Sequence, residues 1–418
     1  MTETSETDKR ERCRSALAVQ ATFARGYSPL SAAFCEHASS WIGDPAGAAS
    51  RFEGDQADTT QALQRLADRI VAFMYDDGSS NELQPMLRMG ATLHAFVLDA
   101  DERTSPVRAY YHTTGGDRSV DDGAFEAALF DTLRALGDDF FERAYAWRVQ
   151  TNESSRGLAW LLPAVVVGAD ACHLVEMGAS AGLNLYAEQR AFDIVTRDGQ
   201  SLRLGRASDR QFQVKLEGDA LPELDEAVLR GPEILSRVGG DAHPLDLTDP
   251  KTAAVLGASI WGDQPSRFAR LREGLAVHAK AIAGEIQPVA KVRESYLPDD
   301  AGDFLRGAVT SHPRAPVICF NTYLTAYFND VQHRALQRAV AGHARSWSLQ
   351  HRLPWMWVRF ETPRRGEDPG PHGGWCRWRV EMWLGDEHHV VDIGWAHPHM
   401  RRIVLSDGLQ VLRALGQQ

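Results

Sequence analysis

The stretch HLVEMGASAGLNLY, residues 173–186, admits two readings, and the choice between them sets the fold. From its centre, Gly178-Ala179-Ser180-Ala181-Gly182 spells G-x-S-x-G, the pattern of a serine nucleophile on a sharp strand-to-helix turn. From its left, Glu176 followed by Gly178, Ser180 and Gly182 spells an acidic residue and a Gly-rich turn, the loop by which a nucleotide-binding sheet approaches a cofactor.

Around this stretch, short apolar runs alternate with helical stretches. CHLVEM (172–177), ILSRVG (234–239), PVAKVR (288–293), APVICFN (315–321) and PWMWVRF (354–360) read as strands. PSRFARLREGLAVHAKAI and DVQHRALQRAVAGHA lie between them with helical spacing, which predicts βαβ units and a doubly wound, mostly parallel sheet. WCRWRVEMWLG and EHHVVDIGWA flank Gly385-Asp386 and alternate with period two, as an antiparallel hairpin at a sheet edge would. The turns RDGQS and LEGDA predict a small β insertion at about 190–232. Residues 1–150 show helical periodicity, broken at Tyr27-Ser28-Pro29, so a helical N-terminal region precedes a core over 151–418.

Composition narrows the function classes. The net charge is −11, and of 45 basic residues only five are Lys, an Arg habit that suggests a GC-rich bacterial genome. Basic residues are interleaved with acids and form no clustered face, so nucleic acid is not expected as a partner. No run approaches the roughly 20 apolar residues of a membrane helix, and the polar start MTETSETDKRERCR has no signal-peptide core. Cytoplasm is the expected location, with no membrane partner. Cys13, Cys35, Cys172, Cys319 and Cys376 are scattered and never in C-x-x-C spacing, which favours ordinary thiols over disulfides or zinc. EHH (387–389) with HPH (397–399) invites a metal site, but His388 and His389 alternate across a strand, and no metal is expected.

The hydrolase reading has Ser180 as nucleophile, YYHTTGG (110–116) as an oxyanion-loop candidate, and Asp392 and His397 in the required order. Against it, HTTGG lacks consecutive glycines that would preorganise backbone donors, and Asp392 and His397 fall on one strand and its end. The nucleotide reading uses more residues. The strand HLVEM ends near Glu176, Gly178 and Gly182 let the backbone approach a ligand, and AGLNLYAEQ, with Asn184, starts a helix with its N–H groups toward the site. A second strand should end in a carboxylate for a ribose diol; Asp241 fits, with Asp246 as rival. A Gly-rich turn that serves only packing is the plain alternative.

Several segments together resemble a bacterial family known as domain of unknown function 2332. They are AVQATFARGYSPL (18–30), RVQTNESSRGLAWLLPA (148–164), LVEMGASAGLNL (174–185), RVGGDAHPLDLTDP (237–250), IWGDQPSRFARL (260–271), CFNTYLTAYF (319–328) and AHPHM (396–400), in that order. The family in turn resembles class I methyltransferases in its nucleotide loop. The resemblance implies a Rossmann-like class I methyltransferase core and S-adenosylmethionine as cofactor, and it names no substrate. Two departures stand out. KVRESYLPDD replaces a Gly-Asp pair after the third strand, leaving Glu294 or Ser295 as the adenine-side contact, and the terminal PHG motif reads Pro398-His399-Met400.

The remaining candidates line the predicted acceptor side. Gln150, Thr151, Asn152, Glu153 and Arg156 crowd beside an apolar run, with Arg156 suited to hold a carboxylate, although a helix cap explains the cluster equally well. Asn321, Thr322 and Tyr323 follow the fourth strand, where the methyl acceptor would lie. Glu361, His397 and His399 are the candidate general bases. The expectation is methyl transfer to a small molecule, with a homodimer as the one assembly left open; a serine esterase, or a binding protein without turnover, is the alternative.

Overall fold

In the computed structural model, residues 5–76, 83–147, 153–207, 212–218, 224–309 and 315–417 are described. The chain divides into two compact units, one of Met1–Thr151 with Thr248–Ala269, the other of Asn152–Leu247 with Arg270–Gln418.

The first unit is helical. Its principal helices are Glu6–Arg25, Pro29–Gly43, Gln56–Asp76, Leu83–Leu98, Phe125–Leu136 and Asp138–Ala146. The break read at Tyr27-Ser28-Pro29 is a helix start: Ser28 caps it by accepting from the Ser31 N–H, and Pro29 takes the first turn, where it has no N–H to lose. Asp263 braces the same turn, accepting from Ser28 Oγ (2.7 Å) and the Leu30 N–H (2.9 Å). In WGDQPSR the polar residues therefore fix a chain reversal within this unit, and Trp261 packs edge-on against Tyr27.

Among its described residues the second unit has eleven strands: β1 Ala171–Met177, β2 Phe192–Val195, β3 Ser201–Leu204, β4 Phe212–Leu216, β5 Glu233–Asp241, β6 Lys291–Glu294, β7 Val317–Thr322, β8 Trp355–Glu361, β9 Cys376–Leu384, β10 Glu387–Ala396 and β11 Arg402–Leu405. They form one sheet in the order β3-β2-β4-β11-β10-β9-β8-β7-β1-β5-β6. The run β6-β5-β1-β7-β8 is parallel throughout, and the strand order reverses between β1 and β7. Parallel strands covered on both faces read as unbroken apolar runs, and β7 is buried along its whole length. Leu174, Ile318, Phe320 and Val358 pack on one face with the helix Leu158–Val166. Val175, Met177, Cys319 and Trp357 pack on the other with the helices Ala301–Ala308 and Asp330–His351. The fold is α/β, with a helical N-terminal region and a large, mostly parallel sheet.

Two expectations change. The β9–β10 hairpin turns at Gly385-Asp386 but does not lie at a sheet edge, because β11 pairs with β10 and then with β4 of the insertion. The insertion strands thus extend the same sheet to its far edge. Second, AGLNLYAEQ does not start an α-helix: Leu183–Gln189 is a kinked 3-10 segment, non-helical at Tyr186. The carbonyls that an α-helix would use are taken by side chains, Asn184 O by Trp160 Nε1 (2.8 Å) and Leu185 O by Arg237 Nη1.

Candidate functional site

The C-terminal ends of β1, β5 and β6 are knitted by backbone hydrogen bonds. Leaving β1, the chain turns through Gly178 (φ +78°), Ser180 (φ +50°) and Gly182 (φ +71°). A side chain at Gly182 would be strained by its φ and would bring a Cβ within 2.8 Å of Val292 Cγ2, so glycine is required there. The N–H groups of Gly178 and Ala179 donate to Gly240 O, and the Ser180 N–H donates to Asp241 Oδ2 at 2.8 Å. Asp241 Oδ1 accepts from the His243 N–H at 2.9 Å, while Asp241 O accepts from the Ser295 N–H at 2.8 Å. Asp241 therefore ties the turn after β1 to the end of β5 and retains a half-buried carboxylate with further lone pairs.

Beneath that turn lie buried polar groups that the described residues do not satisfy. Glu176 is 1% exposed, and its Oε1 accepts one long bond from Asn184 Nδ2 (3.3 Å). Glu176 Oε2, Asn184 Oδ1 and Ser295 Oγ, all buried, have no hydrogen-bond partner among the described residues. Burial pushes the Glu176 carboxyl well above the usual carboxylate range; the Asn184 bond opposes this, Asp241 reinforces it, and Arg156 opposes it again. An orphan buried acceptor costs about 1–3 kcal/mol, and two of these three groups can only accept when Glu176 is ionised.

At the ends of β7 and β8 both oxygens of the buried Glu361 carboxylate are engaged. Glu361 Oε1 accepts from Asn321 Nδ2 and the Leu324 N–H, and Oε2 accepts from the Thr325 N–H (3.0 Å) and Thr325 Oγ1 (2.9 Å). Burial raises its pKa against those four bonds. Asn321 Oδ1 in turn accepts from Trp357 Nε1 at 2.7 Å. Both residues thereby fix the turn after β7. Thr322 is buried opposite Phe360 in the ladder, and Tyr323, at φ +62°, lays its ring 4.7 Å from the Arg156 guanidinium carbon.

Arg156 joins this end of the sheet to the turn after β10. Its Nε donates to Pro398 O at 2.8 Å, and its terminal nitrogens have no hydrogen-bond partner among the described residues. Ser155 Oγ donates to Glu153 Oε1 (2.7 Å) and approaches His399 O (3.1 Å), and His399 Nδ1 lies 2.9 Å from Glu153 Oε2. Burial drives the His399 imidazole down to about 3, so it is neutral across the physiological range. His397 Nδ1 accepts from the His399 N–H at 3.1 Å, which places any ring proton of a neutral His397 on Nε2. Asp392 spends both carboxylate oxygens on Arg377 and Arg379. Gln150, Thr151 and Asn152 lie outside the described residues.

The structure therefore brings Glu176, Gly178, Ser180, Gly182, Asn184, Asp241 and Ser295 to the ends of β1, β5 and β6. Glu361, Asn321, Thr322 and Tyr323 lie at the ends of β7 and β8, while His397 and His399 belong to the turn after β10. Sequence reasoning gave no role to the buried ion pair of Arg237 with Glu188, which anchors the 3-10 segment under the site. A charged residue in the middle of the apolar run ILSRVGG was the available signal, because a buried charge requires a partner. Glu153 stood in the polar cluster by sequence, but only the fold shows that it faces His399.

Among the described residues, no group of three or more His, Cys, Asp or Glu is spaced to hold a metal ion, and no helix is long and apolar enough to cross a membrane. The five cysteines are all buried and none is in a disulfide. No curated protein and no solved structure matches the chain. The family described as "uncharacterized protein conserved in bacteria (DUF2332)" matches residues 14–404, nearly the whole sequence, and the chain belongs to that family.

Proposed function

We propose that the second unit is a Rossmann-like methyltransferase core that binds S-adenosylmethionine and transfers its methyl group to a small molecule. The observation that carries this reading is the pair of buried acceptors, Glu176 Oε2 and Asn184 Oδ1, without a partner among the described residues, below the Gly-rich turn where the strand order reverses. Open α/β sheets bind ligands outside the carboxyl ends of their strands at such a reversal. Two acceptors side by side call for a cationic donor, and the ammonium of an amino-acid moiety supplies one. The residues present fit the cofactor: Glu176 and Asn184 would hold its ammonium, Asp241 its ribose, and Ser295 its adenine side.

When bound, S-adenosylmethionine supplies an electrophilic methyl carbon on a sulfonium. The chain's task is then to orient an acceptor and to exclude water. Arg156, stacked on Tyr323 and with no bond to its terminal nitrogens among the described residues, would hold a carboxylate of the acceptor. Glu361 already accepts four hydrogen bonds, so it would support the acceptor wall. His399, neutral and facing Glu153, would orient an acceptor by hydrogen bonding.

The test is thermal unfolding with S-adenosylmethionine and S-adenosylhomocysteine at about 100 times Kd, where mass action gives roughly 2.7 kcal/mol of stabilisation. A shift with both ligands, absent in Asp241→Ala, is expected; no shift with either would sink the reading. A serine-hydrolase reading keeps one observation in its favour, the positive φ of Ser180, which nucleophile turns share. Against it stand the two arginines on Asp392 and the acceptor role of His397 Nδ1. Fluorophosphonate labelling of Ser180 discriminates, since only the hydrolase reading expects it.

A further inference from the structure

We infer that the helical unit carries a binding site of its own, for a neutral, hydrocarbon-rich small molecule. A cavity of about 380 Å³ lies among its helices, walled by Phe34, Met86, Leu93, Tyr111, Phe125 and Trp261. That is within the size range of small-molecule sites, and roughly two and a half times the ~150 Å³ that accommodates one benzene, so a fused bicycle or a chain of roughly eight to ten carbons matches it.

The lining defines the ligand's chemistry. Among the described residues it includes no Asp, Glu, Lys, Arg or His, so a charged ligand would leave water without compensation. Cys35 in the wall is buried, and burial pushes its thiol up to about 12, so it is an uncharged, weakly polar contact. Gln20 and Ser31, both half-exposed, add polar groups to the lining, suited to one hydroxyl or carbonyl on the ligand. Phe23, 76% exposed, adds an aromatic face where a folded chain would otherwise hide it.

Gly90 supplies an independent observation. It sits in the interior of the helix Leu83–Leu98, where glycine is a poorer choice than alanine by roughly 1 kcal/mol. No neighbour demands it: a Cβ built there meets nothing within 4 Å. Gly90 also lines the cavity. A helix-weakening residue that no packing contact explains, on the wall of an uncharged recess, keeps open a volume that a larger side chain would occupy.

The full-length protein titrated with N-phenyl-1-naphthylamine, a neutral fluorophore made of a fused bicycle bearing one phenyl ring, tests the site. Saturable fluorescence enhancement at one equivalent is expected. Gly90→Leu, which fills the cavity from its wall, should weaken binding at least tenfold without lowering the melting temperature. Gly342→Leu is the control, because Gly342 also lies in a helix with nothing within 4 Å of its Cβ and belongs to the other unit. It should leave binding unchanged. A co-purified molecule could mask the site, so native mass spectrometry precedes the titration; an apolar adduct present in the parent and lost in Gly90→Leu counts in favour. Absence of both adduct and saturable binding, or equal binding by a folded Gly90→Leu, overturns the inference.

Discussion

The ends of β1 and β8 each carry a buried glutamate, and the protein treats the two in opposite ways. Glu361 closes β8 with four hydrogen bonds, two of them to backbone N–H groups that open the turn Thr325–Tyr327. Glu176, one residue before the end of β1, has among the described residues a single 3.3 Å bond and an orphan oxygen. Burial raises both carboxyls. A satisfied carboxylate holds structure, whereas an unsatisfied one destabilises the fold alone and is retained when something else completes it. The contrast separates scaffold from site within one sheet.

The largest effect should come from breaking the satisfied end. Glu361→Ala strands Asn321 Nδ2, two backbone donors and the Thr325 hydroxyl, and should cost about 3–5 kcal/mol in urea unfolding. A loss below about 1 kcal/mol would mean that the turn after β7 reorganises freely, and the distinction between the two ends would fail.

Glu176→Gln should act with the opposite sign. A glutamine amide can accept from Asn184 Nδ2 and donate to Asn184 Oδ1, forming the reciprocal pair that the carboxylate cannot, and should stabilise by about 1–2 kcal/mol at neutral pH. The pH dependence follows from the raised carboxyl. The folded state binds its proton more tightly than the unfolded chain, so the stability this group contributes is complete below the unfolded value and is lost as pH rises through the folded one. The advantage of the variant should therefore be near zero in acid and grow towards neutrality, as measured by unfolding at several pH values. The same variant should lose the thermal shift with S-adenosylmethionine. A variant less stable than the parent at neutral pH would show that Glu176 is already satisfied in solution.

Sequence patterning made the frame of this contrast legible. Runs of β-branched and aromatic residues located β1, β5, β7 and β8 to within two residues, because buried parallel strands leave continuous apolar segments. Gly178 and Gly182 announced the turn, whereas Asp241 reads in sequence as a ribose carboxylate and its bond to the Ser180 N–H appears only in the fold. What the sequence did not disclose depends on distant partners. β11 has four residues, too few to show alternation, and its neighbour β4 lies nearly two hundred positions earlier. The helix expected after Gly182 loses to Trp160 and Arg237, which take its carbonyls from other elements. Glu176 and Glu361 also look alike as letters, each a carboxylate near a strand end. Only the fold counts their donors.

The smallest effect concerns Ser180, and it tells which part of the β1 end acts. Its φ of +50° costs a non-glycine residue about 1 kcal/mol, and Ser180→Gly removes that strain while adding about the same unfolded-state entropy. Net stability should stay within about 0.5 kcal/mol of the parent. The bond to Asp241 comes from the backbone N–H, which glycine retains, so the thermal shift with S-adenosylmethionine should persist. If it does, the turn works through its backbone, and the side chain that matters at this end is the carboxyl of Glu176. If the shift disappears while the fold is intact, the hydroxyl is part of the site. The hydrolase alternative would then have to be tested first, because the two strand ends would differ by a reactive oxygen as well as by an unsatisfied one.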